Sequence, residues 1–247
     1  IRARDIDRGV EGWGELHWHR RGRSPRSSAV KLLQINRVGK RCLSYVIISD
    51  HEALVIDPAR YADWYTCLAQ AQQAHLTRVI DTHLHADHLS GGPELTRTMG
   101  IPYHIRLDDA AGAQFPYQSV EDGARLALGS SVVEIIALHT PGHTPGSTSL
   151  LVNERYLLTG DTLFVSSIGR PDLGDKAEEW ARLLYHTLFD RIALLPDDVL
   201  ILPAHYSDIT EMRPDGIVAT TLGEARQKNP VFERRSEAQF LAYVLDR

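Results

Sequence analysis

Cysteine is nearly absent: 247 residues carry two, Cys42 and Cys67. Two thiols exclude a disulfide framework and a cysteine-rich metal site, and the usage suits a reducing compartment, so a cytoplasmic location is expected. Long apolar runs are also missing. None approaches the roughly 20 residues a membrane-spanning helix needs, so no transmembrane segment is expected. There is no excess of positive charge either; the net charge of −5 gives no footprint for nucleic acid. Aromatic residues are sparse at 7%, but the hydrophobic fraction is 43%, so aliphatic side chains must build the core, and disorder is excluded.

Histidine is the residue in excess, with 12 copies, and these are grouped rather than scattered. The chain opens on Ile1, which points to processing or to excision from something longer, and no charged start with an apolar stretch marks a signal peptide. Residues 1–28, rich in Arg and Gly, read as an extension or linker, and residues 29–247 as one domain. His17 and His19 in the extension would share one face of a strand; a solvated linker is the preferred reading.

From residue 29 onward short β-branched runs set in. Lys31–Ile35, Leu43–Ile48 and Ala53–Ile56 predict a meander of strands. Tyr61–His75 has helical spacing, Arg78–Asp81 reads as a buried strand, and Gly92–Met99 as a helix with Pro93 in its first turn. A second series follows: strands at Arg125–Leu128, Val132–Leu138, Ser147–Val152, Tyr156–Leu158 and Val199–Leu202, and helices at Ala177–Phe189, Gly216–Lys228 and Glu237–Leu245. Strands, helix, strand, given twice, predict an α/β fold with two sheets face to face and helices outside.

The chemistry is concentrated after the strand at Arg78–Asp81. Thr82-His83-Leu84-His85-Ala86-Asp87-His88 packs three imidazoles and a carboxylate into six residues. Such donors suit zinc, iron or manganese better than calcium, and gathering them at the end of a buried strand is costly without a cation. His143 in Thr140–Gly146, Asp161 after Gly160, and His205 in Pro203-Ala204-His205 also stand at strand ends. Asp57, in Val55-Ile56-Asp57-Pro58, is either a turn residue or a group that orients a ligand.

His-x-His-x-Asp-His, Pro-Gly-His, Gly-Asp and Pro-Ala-His, in that order, resemble the metallo-β-lactamase fold superfamily over about residues 29–230. The resemblance implies an αββα sandwich with a metal site at one edge. Gly169-Arg170-Pro171-Asp172, Leu184-Tyr185-His186, Leu195-Pro196 and Asn229-Pro230 are similar to the persulfide dioxygenase branch. Glyoxalase II, also similar, usually has a second His where this chain has Ser147, and a longer basic C-terminal region. Two departures touch the substrate region. Ser207 stands where persulfide dioxygenases often have Tyr, and the stretch between Asp172 and Tyr185 is longer. Gly9–Trp13 faintly resembles the closing segment of a rhodanese domain.

The dioxygenase resemblance implies one Fe(II) per chain on His83, His143 and Asp161, and oxidation of glutathione persulfide or a related persulfide by O2 to sulfite. His85, Asp87, His88, His205 and Asp57 would then support the iron without binding it, with Asp87 and His88 as the catalytic candidates. Arg170 is the candidate for a glutathione carboxylate, or else a surface ion pair. The alternative is a hydrolase of thioesters with two Zn, or mixed Zn and Fe. One metal would sit on His83, His85 and His143, the other on Asp87, His88 and His205, with Asp161 bridging. No nucleic-acid or membrane partner is expected, and a homodimer is open. Tyr185 and His186 read as core or support, and Cys42 and Cys67 as buried small residues.

Overall fold

The computed structural model describes residues 2–6, 30–37, 39–129, 133–234 and 236–246. Strands β1 (Arg2–Asp5), β2 (Lys31–Arg37), β3 (Cys42–Ser49), β4 (Glu52–Ile56), β5 (His75–Ile80) and β6 (Tyr103–His104) form one sheet in that order. Strands β7 (Arg125–Leu128), β8 (Val133–His139), β9 (Thr148–Val152), β10 (Tyr156–Gly160), β11 (Leu200–Pro203) and β12 (Thr220–Thr221) form the second, also in chain order. Helices α1 (Ala62–Ala71), α2 (Gly92–Met99) and α3 (Leu107–Ala110) accompany the first sheet, and α4 (Ala177–His186), α5 (Leu222–Lys228) and α6 (Glu237–Leu245) the second. No helix among the described residues is long and apolar enough to cross a membrane.

Alternation within fully buried strands builds the layers. Leu43, Tyr45 and Ile47 of β3 and Leu54 and Ile56 of β4 meet Ile135, Leu150, Val152 and Leu158 between the sheets. Their neighbours in sequence, Val46, Ile48, Ala53 and Val55, face the opposite way and pack with Tyr65 and Ala69 of α1 and Leu95 of α2. On the far side Leu157 and Ile201 pack with Ala181 and Leu184 of α4 and Phe240 of α6. A strand buried on both faces reads as a continuous apolar run, which is why the period-2 signal is weak here. The expected αββα sandwich is therefore the fold.

Some boundaries differ from expectation. α1 stops at Ala71 because Gln73 takes a left-handed conformation (φ 58°), and His75 already begins β5. The helix expected from Gly216 starts at Leu222, where Thr221 and Glu224 form a reciprocal cap, and Thr220–Thr221 pair with β11 instead. Arg2–Asp5 pairs antiparallel with β2 and Ile6 is buried, so residues 2–6 belong to the first sheet rather than to a linker. His17, His19 and Gly9–Trp13 lie outside the described residues.

β4 runs parallel to β5, and β10 parallel to β11. Parallel pairing brings the C-terminal ends of these strands to one edge of the sandwich, where a crevice forms. A hydrogen bond from Leu43 N to Ala204 O (2.6 Å) and a bridge between Cys42 and His205 close the two sheets together there.

Candidate metal centre

The candidate ligands lie on segments that leave the ends of strands. His83, His85, Asp87 and His88 follow β5, His143 sits between β8 and β9, Asp161 follows β10, and His205 follows β11. Asp57 follows β4 with φ 50°, a left-handed conformation uncommon outside glycine. That bend turns its carboxylate back onto the next strand end. Its Oδ1 accepts from Thr82 N (2.7 Å), and Thr82 Oγ1 donates to its Oδ2 (2.8 Å).

The Thr82 contact decides the state of His83. Because the Thr82 hydroxyl proton goes to Asp57, His83 Nδ1 at 2.9 Å must donate to Thr82 Oγ1. The lone pair of His83 is therefore on Nε2, a buried atom with no hydrogen-bond partner. The same logic applies at His143, whose Nδ1 donates to the Arg170 carbonyl at 2.9 Å and leaves Nε2 bare. Both Nε2 atoms face Asp161 Oδ2, at 3.7 Å from His83 and 3.6 Å from His143. Asp161 is ionised: burial opposes its charge, but the hydrogen bond and charge of His205 hold its carboxyl well below the usual range. Burial also holds His83 neutral, pushing its pKa well below the ordinary value. Three acceptor atoms thus converge with no proton between them. A divalent cation fits that set, and two imidazoles with one carboxylate is a ligand set suited to Fe(II) with open positions.

The remaining candidates pair with one another. His205 Nδ1 lies 2.6 Å from Asp161 Oδ1 and its Nε2 lies 3.0 Å from Asp87 Oδ2. Burial disfavours charge on His205, but Asp161 and Asp87 outweigh it and push its pKa up to about 12, so it is an imidazolium donating from both nitrogens. Asp87 also accepts from His88 Nδ1 at 3.1 Å. His85 packs against His83 with ring centres 4.1 Å apart; its Nε2 is 3.2 Å from Asp57 Oδ1, a pair that, against burial, raises its pKa to about 9, and its Nδ1 is buried with no hydrogen-bond partner. Ligand atoms of Cys42, Asp87, His88 and His205 form a second group within 4.8 Å of one another, and those of Asp57, Asp81 and His85 a third.

Several residues sit differently from expectation. Cys42 is buried, but at the site: its thiol is 3.5 Å from Asp87 Oδ2. Cys67 is exposed on α1. Tyr185 packs with Phe189 and Phe240 in the outer helical layer, and His186 pairs with Asp190 at 2.7 Å. Arg170 reaches the cleft mouth but makes two 2.8 Å bonds to Asp172 and is largely exposed. Ser147 fixes Thr144, donating to its Oγ1 (2.8 Å). Tyr206 is buried, with its hydroxyl 3.3 Å from Asn36. Thr82 and Asp109 join the site as partners that no sequence signal marks, since a lone Thr or Asp carries no motif of its own.

A cleft of about 280 Å³ opens above the triad, lined among others by Ala86, Phe164, Ile168, Gly169, Arg170 and Leu173. Gly169 cannot be another residue without movement, because a Cβ there would stand 1.9 Å from the Asp161 carbonyl oxygen and 2.8 Å from His143 Nδ1.

The protein belongs to the metallo-β-lactamase superfamily, whose family model matches residues 37–205. Within it, the chain is 31% identical over 209 residues to the mitochondrial persulfide dioxygenase ETHE1 of Bos taurus, covering 83% of this chain and 77% of that one. The human protein of the same name is 33% identical over 181 residues, covering 72% and 66%. Among solved structures, a metallo-β-lactamase from Staphylococcus aureus superposes with a TM-score of 0.80 at 28% identity, covering 88% of this chain and 67% of that one. ETHE1 from Myxococcus xanthus gives 0.74 at 27% identity, covering 86% and 89%. Family and ligand set together make this a metal-dependent enzyme.

Proposed function

We propose that the enzyme is a mononuclear iron dioxygenase that oxidises the persulfide of a small thiol, glutathione persulfide above others, with His83, His143 and Asp161 holding Fe(II). The observation that carries this reading is the convergence of two bare Nε2 atoms on Asp161 Oδ2. Similarity to persulfide dioxygenases supports the choice of reaction. Bound Fe(II) would supply open positions for an anionic sulfur and for O2, and the redox chemistry between them.

The chain's own residues prepare that site. Thr82 and the Arg170 carbonyl fix the tautomers of His83 and His143. His205 occupies one oxygen of Asp161 and leaves the other free to bind. Asp87 and His88, the catalytic candidates, act in this reading as positioning residues: Asp87 accepts from both rings and holds His205 in place. Phe164, Ile168 and Leu173 keep the cleft walls apolar. Arg170 at the mouth is placed for a carboxylate of the thiol carrier.

A second reading, a hydrolase of thioesters with two metals, has one observation in its favour: Asp87, His88 and His205 lie close enough to share an ion. It also needs His85 beside His83 and His143: the His85 ring lies 4.1 Å from that of His83, with Nε2 on Asp57 and a buried Nδ1 that has no hydrogen-bond partner. Metal analysis of protein purified without added metal separates the readings. About one iron per chain supports the dioxygenase, and two zinc per chain would overturn it.

A further inference from the structure

Asp109 lies on α3, a single helical turn with no metal ligand, yet its carboxylate reaches both loops that carry the histidine ligands. Its Oδ2 accepts from the backbone N–H of Leu84, between His83 and His85, at 2.8 Å, and from Thr144 Oγ1, next to His143, at 2.6 Å. Its Oδ1 accepts from the backbone N–H of Gly146 at 2.6 Å. Neighbouring Arg106 is occupied with Asp108 and Glu121. The fit is close: a Cβ on Gly146 would stand 2.6 Å from Asp109 Cγ, so only glycine lets this loop approach. Ser147 extends the chain of bonds by donating to Thr144.

We propose that Asp109 is a positioning residue: one carboxylate clamps the His83 loop to the His143 loop and so sets the spacing of the two histidine ligands. A carboxylate suits the task because it offers several acceptor sites and no donor, so a single side chain serves N–H and O–H groups from two segments at once. Charge-assisted bonds of this kind are stronger than neutral ones. A second tie between the segments, Thr148 N to Thr82 O at 2.8 Å, joins the strands behind the loops but leaves the loop tips to Asp109. The inference rests on His83, His143 and Asp161 as the ligand set, and not on which reaction the metal supports.

The test titrates metal-free protein with Co(II) against a chromophoric chelator and records the visible ligand-field bands. It compares wild type with Asp109→Ala, Asp109→Asn and His143→Ala, and measures the Tm of each metal-free protein. Asp109→Ala is expected to weaken Co(II) binding on the order of 10-fold, the lower end of the range for groups that orient ligands directly, and to shift the bands. Asp109→Asn keeps one acceptor oxygen and is expected to lose less; it carries the test if the alanine variant does not fold. His143→Ala should abolish the site. If His143→Ala loses cobalt while the Asp109 variants that fold match wild type in affinity and bands, whatever their Tm, the clamp is overturned and the ligand set stands. If His143→Ala binds cobalt as wild type does, the ligand set is wrong and the clamp falls with it.

Discussion

His205 donates through Nδ1 to Asp161 at 2.6 Å, on the carboxylate oxygen that points away from His83 and His143. The contact divides the work of one carboxylate: Oδ1 is held by a protonated ring and Oδ2 is left to a metal. It also gives His205 a role that needs no metal of its own.

His205→Ala is therefore expected to leave iron near one per chain while turnover falls on the order of 10-fold or more, the range for groups that orient a ligand. Metal analysis beside steady-state rates checks this. A halved metal content would mean that His205 is itself a ligand. Asp161→Ala, in contrast, removes the only anion of the triad and should remove the metal and the activity together.

Gly169→Ala tests the contact between the Gly169 loop and the triad. The added methyl must displace the Asp161 carbonyl or the His143 ring. Overpacking of this kind costs about 1–3 kcal/mol, or a Tm loss of roughly 2–12 °C for a chain of this size. Iron affinity should fall with it. Unchanged melting and metal content would show that the loop yields freely.

Arg170 is exposed and already paired with Asp172, so a carboxylate it meets gains little. Arg170→Ala should raise KM for glutathione persulfide about two- to fivefold. A small persulfide without peptide carboxylates should be used equally well by both proteins. Equal losses with both substrates would place the effect in the loop rather than in recognition.

His104 on β6 predicts the acid limb of stability. Burial, with help from the Arg78 charge, lowers its pKa to about 4. An unfolded histidine titrates near 6.5. Between these values the unfolded chain holds a proton that the folded chain refuses, so stability falls as pH drops from about 6.5 towards 4. His104→Leu removes that contribution, and denaturation at pH 7 and pH 5 should show a smaller loss in the variant. Parallel losses would assign the acid limb to other groups.

Much of this was legible before any coordinates, for identifiable reasons. His83–His88 is contiguous, and His143, Asp161 and His205 each stand after a strand, so the candidate site residues are legible from local pattern alone. The layers followed from β-branched runs. What escaped notice depends on contacts between distant segments. Two-residue β6 and one-turn α3 are too short to show a period. Asp109 has no motif because its partners lie about 25 to 37 residues away. Cys42 looked like a core residue, since only the bridge between β3 and His205 brings it beside Asp87. The Arg170–Asp172 pair turns a candidate anchor into a half-satisfied one, which spacing cannot reveal.

The central claim is oxygen chemistry at a single iron on His83, His143 and Asp161. The most direct measurement is O2 uptake, with sulfite measured in parallel, by Fe(II)-loaded protein given glutathione persulfide. The account predicts O2 consumption matched by sulfite release, both lost in Asp161→Ala. Rapid cleavage of S-lactoylglutathione with no O2 consumed on the persulfide would contradict it.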